Sequence, residues 1–237
     1  VCSESIFGLC ASNISQGHRF HGSGDIIIES PLTYESQMRK NFVIANLDER
    51  RDIIKAGVSK LARDINGVAV LDSALIDEVA SLNEWPVPLL GKFDKAFLSI
   101  PSEALISSMK EHQKYFHVVD ESGHLMPVFI TVANISSKDP EKVIEGNERV
   151  IRPRLADAAF FYKNDAKISL EARRDSLKTV VFQDKLGSLY DKTIRVAALS
   201  KQIAKKIGAD HALAERAALI SKSDLITDMV GEFADLQ

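Results

Sequence analysis

Arg149, Arg152 and Arg154 fall within six residues and lead into Phe160, Phe161 and Tyr162. Guanidinium forks hold phosphate oxygens in bidentate fashion, and aromatic faces stack on unpaired bases, the pairing that recognition of single-stranded RNA uses. A plainer reading keeps Leu155, Phe161 and Tyr162 in the core and pairs an arginine with Asp157; the aromatics favour it, and the arginines divide evenly. The cluster opens a basic block. From Arg149 to Lys206 fourteen Lys and Arg stand against six Asp and Glu, a surplus of +8 in a chain whose net charge is −3, which leaves −11 for the remainder. Such segregation marks a surface that meets a polyanion, because each cation that neutralises a phosphate releases condensed counterions. Solvated helix faces carry the same residues, so charge alone leaves both readings open.

Other chemistries find less support. Gly22-Ser23-Gly24 precedes a strand pattern instead of joining a strand to a helix, so its amides are badly placed to cradle a phosphate. Histidines stand at 18, 21, 112, 117, 124 and 211 with no H-E-x-x-H pair, and His18 with His21 could hold a metal only with a distant third ligand. A structural or surface role is the expectation for both. Ser107, Ser108 and Ser122 lack the G-x-S-x-G elbow of a hydrolase nucleophile. Cys2 and Cys10, in no C-x-x-C arrangement, support neither a disulfide framework nor a structural zinc. A reduced, cytoplasmic setting is expected, and no apolar run approaches the roughly 18 residues of a membrane span.

These residues need elements to hold them. Asp25–Glu29 is a β-branched run between turn residues and predicts a buried strand. Ile54, Val58, Leu61 and Ile65 recur at helical spacing between Asp48 as cap and Asn66-Gly67 as stop. A second helix is expected over Ser73–Leu82, ending before Trp85-Pro86-Val87-Pro88, and a third after Pro101-Ser102, carrying Leu105, Ile106, Met109 and Phe116. Val118-Val119, a turn at residues 121–124 and the run Val128–Ala133 predict a hairpin. From Pro140 the pattern turns helical apart from Val180-Val181-Phe182. Leu186, Leu189, Tyr190, Ile194, Ala197 and Ile203 form the expected buried stripe of a helix ending at Gly208, and Asp210 caps another. The expected class is α+β, with a mixed α/β domain over residues 1–168 and the first helices of a helical domain over 169–237.

Several segments resemble the beta subunit of bacterial heterotetrameric glycyl-tRNA synthetase. They are Glu103-Ala104-Leu105-Ile106 with Met109–Phe116, Gly146-Asn147-Glu148-Arg149-Val150, Arg154-Leu155-Ala156-Asp157-Ala158 and Phe182–Thr193. The resemblance runs in one order from Gly17-His18-Arg19-Phe20-His21 to Met229–Phe233, nearly the whole chain. It implies an internal piece of that subunit, without its N-terminal region and its C-terminal anticodon-binding part. It also implies partnership with an alpha subunit that uses ATP and Mg to activate glycine, while the beta subunit binds glycine tRNA and supports transfer of glycine to it. No adenylation and no cofactor are then expected in this piece, nor any membrane or DNA partner.

The resemblance further implies an α/β region like the editing-type domain of phenylalanyl-tRNA synthetase, followed by an HD-type helical domain. Active HD phosphohydrolases bind metal through histidines and aspartates. Here Lys192 takes the early ligand position, and the later one falls at Lys222 and Asp224 without histidine, so no metal is expected. The candidate tRNA-binding residues are Arg149, Arg152, Arg154, Lys185, Lys192 and Arg195, and no catalytic residue is assigned. Two alternatives remain: a metal-dependent phosphohydrolase or aminoacyl-tRNA deacylase, and a purely structural module contacting another subunit.

Overall fold

The computed structural model describes residues 5–237 apart from the side chain of Ile6. Cys2 lies outside these residues, and Cys10 is an exposed thiol. The chain is a mixed α+β protein. Two short antiparallel ladders come first, β1 (Ser5–Ile6) with β2 (Leu9–Cys10) and β3 (Ile14–Gln16) with β4 (Asp25–Ile27), followed by α1 (Tyr34–Lys40). Next come α2 (Leu47–Arg63), β5 (Val68–Ala69), α3 (Ser73–Leu82), β6 (Val87–Lys92), α4 (Ser102–Ser107), β7 (Phe116–Val119) and β8 (Leu125–Ala133). The remainder is α5 (Pro140–Asp165), α6 (Leu170–Arg173), the ladder of β9 (Val181–Gln183) with β10 (Gly187–Ser188), α7 (Leu189–Ile207), α8 (His211–Ile220) and α9 (Asp228–Glu232). Among the described residues no helix is long and apolar enough to cross a membrane.

Two compact units emerge: residues up to Leu98 together with Met109–Pro153, and Ser99–Ser108 together with Arg154–Gln237. The division between the units falls inside α5. Pro153 has no N–H to give the helical ladder, so the helix's own bonding is interrupted at that residue.

The first unit is built on a four-stranded antiparallel sheet in the order β5-β7-β8-β6. Ile54, Val58 and Ala62 lie one helical turn apart on α2 and are buried with Leu75, Ile76 and Val79 of α3 against Phe116, Val118, Val128 and Ile130 of the sheet. The α3 boundaries match the expectation, as does the β7–β8 hairpin. The cap of α2 is Asn46, not Asp48: its side chain accepts from the Asp48 and Glu49 amides, which leaves Asp48 on the first turn. The strand β6 follows where two prolines suggested only a break. It is a sheet edge, where Pro88 can stand without an N–H to donate. Phe116 opens β7 instead of closing a helix, because the chain after α4 passes through a single π turn over Ser108–His112. In β4 only Ile26 is buried, and Ile27 is exposed.

Phe129 and Tyr115 fill the other face of the sheet. Their rings stack at 4.5 Å, the Tyr115 hydroxyl donates to Asn147 Oδ1 of α5 at 2.6 Å, and Ile151 is fully buried. Gly91 lies opposite Phe129 in the β6–β8 register, where a Cβ would sit 2.4 Å from the phenyl ring. Only glycine fits there.

In the second unit α7 and α8 form a helix pair joined through Gly208, whose φ of 73° is the left-handed cap. The buried stripe of α7 is Thr193, Ala197 and Ala204, and α8 contributes Ala218. Of the expected stripe Ala197 is buried, whereas Ile194 and Ile203 are exposed: small residues let the two helices approach closely, which rotates the larger aliphatics outward. Asp165 at the end of α5 pairs with Arg173 at 2.8 Å, both about nine-tenths buried, and accepts from the Asp228 and Met229 amides that open α9.

Candidate nucleic-acid interface

The β9–β10 hairpin delivers the chain into α7 through Gly187 and Ser188. Gly187 has φ 83°, and a Cβ there would stand 2.5 Å from Asp191 Oδ2. Ser188 caps the helix, its hydroxyl accepting from the Asp191 amide while the Ser188 amide donates to the Asp191 carboxylate at 2.8 Å. The Ser188 N–H, and then its hydroxyl, hold the Asp191 carboxyl below the usual carboxylate range. This box fixes the direction of the first turn, beside which two aromatic rings meet three cations.

Lys192 Nζ lies 4.1 Å from the centre of the Phe182 ring, and Lys178 Nζ lies 4.7 Å from that of Tyr190, with the Arg174 guanidinium 5.5 Å from the same ring. Lys178 also donates to Asp175 at 2.7 Å, which raises the lysine and lowers the aspartate from their ordinary values. A cavity of about 540 Å3 opens beside them, and its lining includes Lys178, Gln183, Ser188 and Tyr190 together with the carboxylates of Asp184 and Asp191. The arrangement offers ammonium groups for phosphate oxygens next to aromatic faces, in a part of the chain where cations exceed carboxylates.

The six candidate cations are divided between the two units. Lys192 is in this cluster, Arg195 is one turn further along α7, and Lys185 is exposed at the hairpin tip. Arg149 and Arg152 belong to the first unit and Arg154 to the second. Arg149 reaches Glu145 at 3.5 Å and Arg154 reaches Glu232 at 3.9 Å, both partly exposed pairs worth little. No arginine pairs with Asp157 among the described residues, Phe160 and Tyr162 are exposed, and Leu155 alone of the expected core trio is fully buried. The core reading of Tyr162 is therefore corrected: α5 turns that side of its last turns to solvent. Sequence reading missed Arg174 and Lys178. Their four-residue spacing was visible, but their partner Tyr190 lies beyond an intervening hairpin.

Lys222 precedes a 3-10 turn at Ser223–Ile226, and the Asp224 carbonyl accepts from Thr227. Among the described residues no group of three or more His, Cys, Asp or Glu could hold a metal. His18 is buried and fully used by the backbone: Nε2 donates to the Asn134 carbonyl, and Nδ1 accepts from the Phe20 and His21 amides at 3.2 Å each. That is the structural role expected of it. His18 stacks on His21 at 5.0 Å, and the row continues through Phe42 to Trp85.

Residues 1–237 match the family model described as glycyl-tRNA synthetase beta subunit. The chain belongs to that family. It is 58% identical over 239 residues to the glycine–tRNA ligase beta subunit of Marinobacter nauticus, 52% over 238 residues to that of Hahella chejuensis and 51% over 237 residues to that of Ectopseudomonas mendocina. Each alignment covers 100% of this chain and 34–35% of the relative, so the chain spans about a third of these beta subunits. The segments Phe182–Thr193 and Gly146–Val150, which carried the resemblance, form the hairpin-to-α7 junction and the middle of α5 in this beta-subunit chain.

Proposed function

We propose that this chain is the part of a glycine–tRNA ligase beta subunit that holds tRNA for transfer of glycine, working with a catalytic alpha subunit in the cytoplasm. The observation that carries the tRNA assignment is the cluster of Arg174, Lys178 and Lys192 around Tyr190 and Phe182 at the start of α7. Family membership supplies the ligase context, because the relatives are named glycine–tRNA ligase beta subunits. In this reading glycine activation, with its ATP and Mg, belongs to the alpha subunit. Residues 1–168 correspond to an editing-type α/β domain, and residues 169–237 to the first helices of an HD-type domain whose ligand position is taken by Lys192. An ammonium resting on Phe182 repels a divalent cation and attracts phosphate, which supports RNA binding over metal-dependent hydrolysis there.

Charge reversal tests this reading. In the full-length beta subunit, Lys178→Glu with Lys192→Glu is expected to weaken binding of glycine tRNA and to lower the slope of log K against log salt by about one unit for each phosphate no longer neutralised. An unchanged slope with circular dichroism intact would remove the cluster from the RNA interface.

A further inference from the structure

A second cavity, in the first unit, is built differently. It measures about 480 Å3 and is lined by Lys92, Phe93, Asp94, Phe97, Glu148 and Arg152. Its walls are held by the backbone. The Lys92 amide donates to Glu148 Oε1 at 2.8 Å, the Phe93 amide to the Pro127 carbonyl at 3.1 Å, the Ala96 amide to Asp94 Oδ1 at 2.9 Å and the Phe97 amide to the Asp94 carbonyl at 3.0 Å. Arg152 lies one turn beyond Glu148 on α5. Both carboxylates thus spend one oxygen on the loop and keep acceptor capacity on the other. Neither the Lys92 ammonium nor the Arg152 guanidinium has a carboxylate within 4.0 Å among the described residues.

Two unpaired cations, two half-buried phenyl rings and two carboxylates with acceptor capacity bring three chemistries into one small volume. The cations suit a phosphate, the rings suit the face of a base, and the carboxylates suit an N–H2 group on the edge of that base. We infer that this cavity takes one unpaired nucleotide of bound RNA whose base carries an exocyclic amino group, and that it discriminates against uridine. The inference rests on the reading of the chain as RNA-binding. Uracil presents a carbonyl where cytosine presents an amino group, so a carboxylate that attracts one repels the other. Arg152 and Lys92 hold the sugar-phosphate without regard to sequence, Phe97 and Phe93 stack, and Asp94 and Glu148 choose the base.

The test compares oligocytidylate with oligouridylate of equal length, titrated against the full-length beta subunit across a salt series. The wild type is expected to prefer cytidylate by about tenfold, the size of one hydrogen bond to a charged acceptor. Asp94→Asn or Glu148→Gln, which keep the shape and the loop hydrogen bonds, are expected to bring that preference toward unity. Arg152→Ala, at an exposed position whose truncation leaves the core intact, is expected to lower the salt slope by about one for both oligomers and to leave the preference alone. Phe97→Leu keeps the wall apolar and is expected to weaken both oligomers several-fold. A preference unmoved by either carboxylate variant, together with a slope unmoved by Arg152→Ala, would overturn the site. If glycine tRNA still binds in that case, only this cavity is lost. If no RNA binds at low salt, the RNA reading itself falls.

Discussion

Tyr115 is the residue at which burial and chemistry meet most directly. It is 3% exposed, stacked on Phe129 and hydrogen-bonded to Asn147, and burial raises its phenol from 10.0 to about 12. A pKa raised on folding means that the folded state favours the neutral phenol. Its contribution to stability is complete below pH 10 and is lost as pH climbs through about 12. The stability difference between wild type and Tyr115→Phe should therefore change across that window and be flat below it, as measured by urea unfolding at several pH values. Arg173 and Asp165 give a second residue-scale expectation. Removing one partner of a pair this buried leaves an uncompensated charge, so Arg173→Ala should cost about 3–5 kcal/mol in denaturant unfolding. A cost below 1 kcal/mol would show that water reaches Asp165. Neither pairing was legible in the sequence, since Tyr115 and Asn147, like Asp165 and the α9 amides, meet only after tertiary packing.

Local chemistry decides the elements, and here the sequence was most readable. Asp210 caps α8 as expected, Gly208 closes α7 in the left-handed region, and the Val118–Ala133 pattern is a hairpin. Misreadings came where a neighbour overrode a local rule. Asn46 took the cap because its side chain reaches two amides, β6 formed through Pro88 because an edge strand tolerates it, and α7 buried alanines because α8 approaches closely. The hairpin-to-helix junction makes the sharpest expectation at this scale. Gly187→Ala must bear a positive φ and a 2.5 Å approach to Asp191, so it should destabilise by about 1–2 kcal/mol. Ser188→Ala should cost about 1 kcal/mol by removing the capping box. Both should shift the urea midpoint; a midpoint unmoved by either would mean that other interactions fix the junction. The proposed interface was half visible. The basic block named Lys185, Lys192 and Arg195, but only the fold sets Arg174 and Lys178 against Tyr190, two residues before Lys192.

Charge organises the whole molecule as it organises the sequence, with +8 over Arg149–Lys206 and −11 elsewhere. That surplus includes Lys178 and Lys192 at the head of α7 in the second unit and Arg149 and Arg152 on α5 in the first. Like charge collected on a surface raises the association rate with RNA and makes affinity fall steeply with salt. The most direct measurement is therefore binding of glycine tRNA to the full-length beta subunit over a salt series, beside a tRNA of another specificity and the Lys178→Glu, Lys192→Glu double variant. A steep salt slope in the wild type that becomes shallower in the variant is the expected result. Binding with a slope the double variant leaves unchanged would contradict the assignment of tRNA binding to the start of α7.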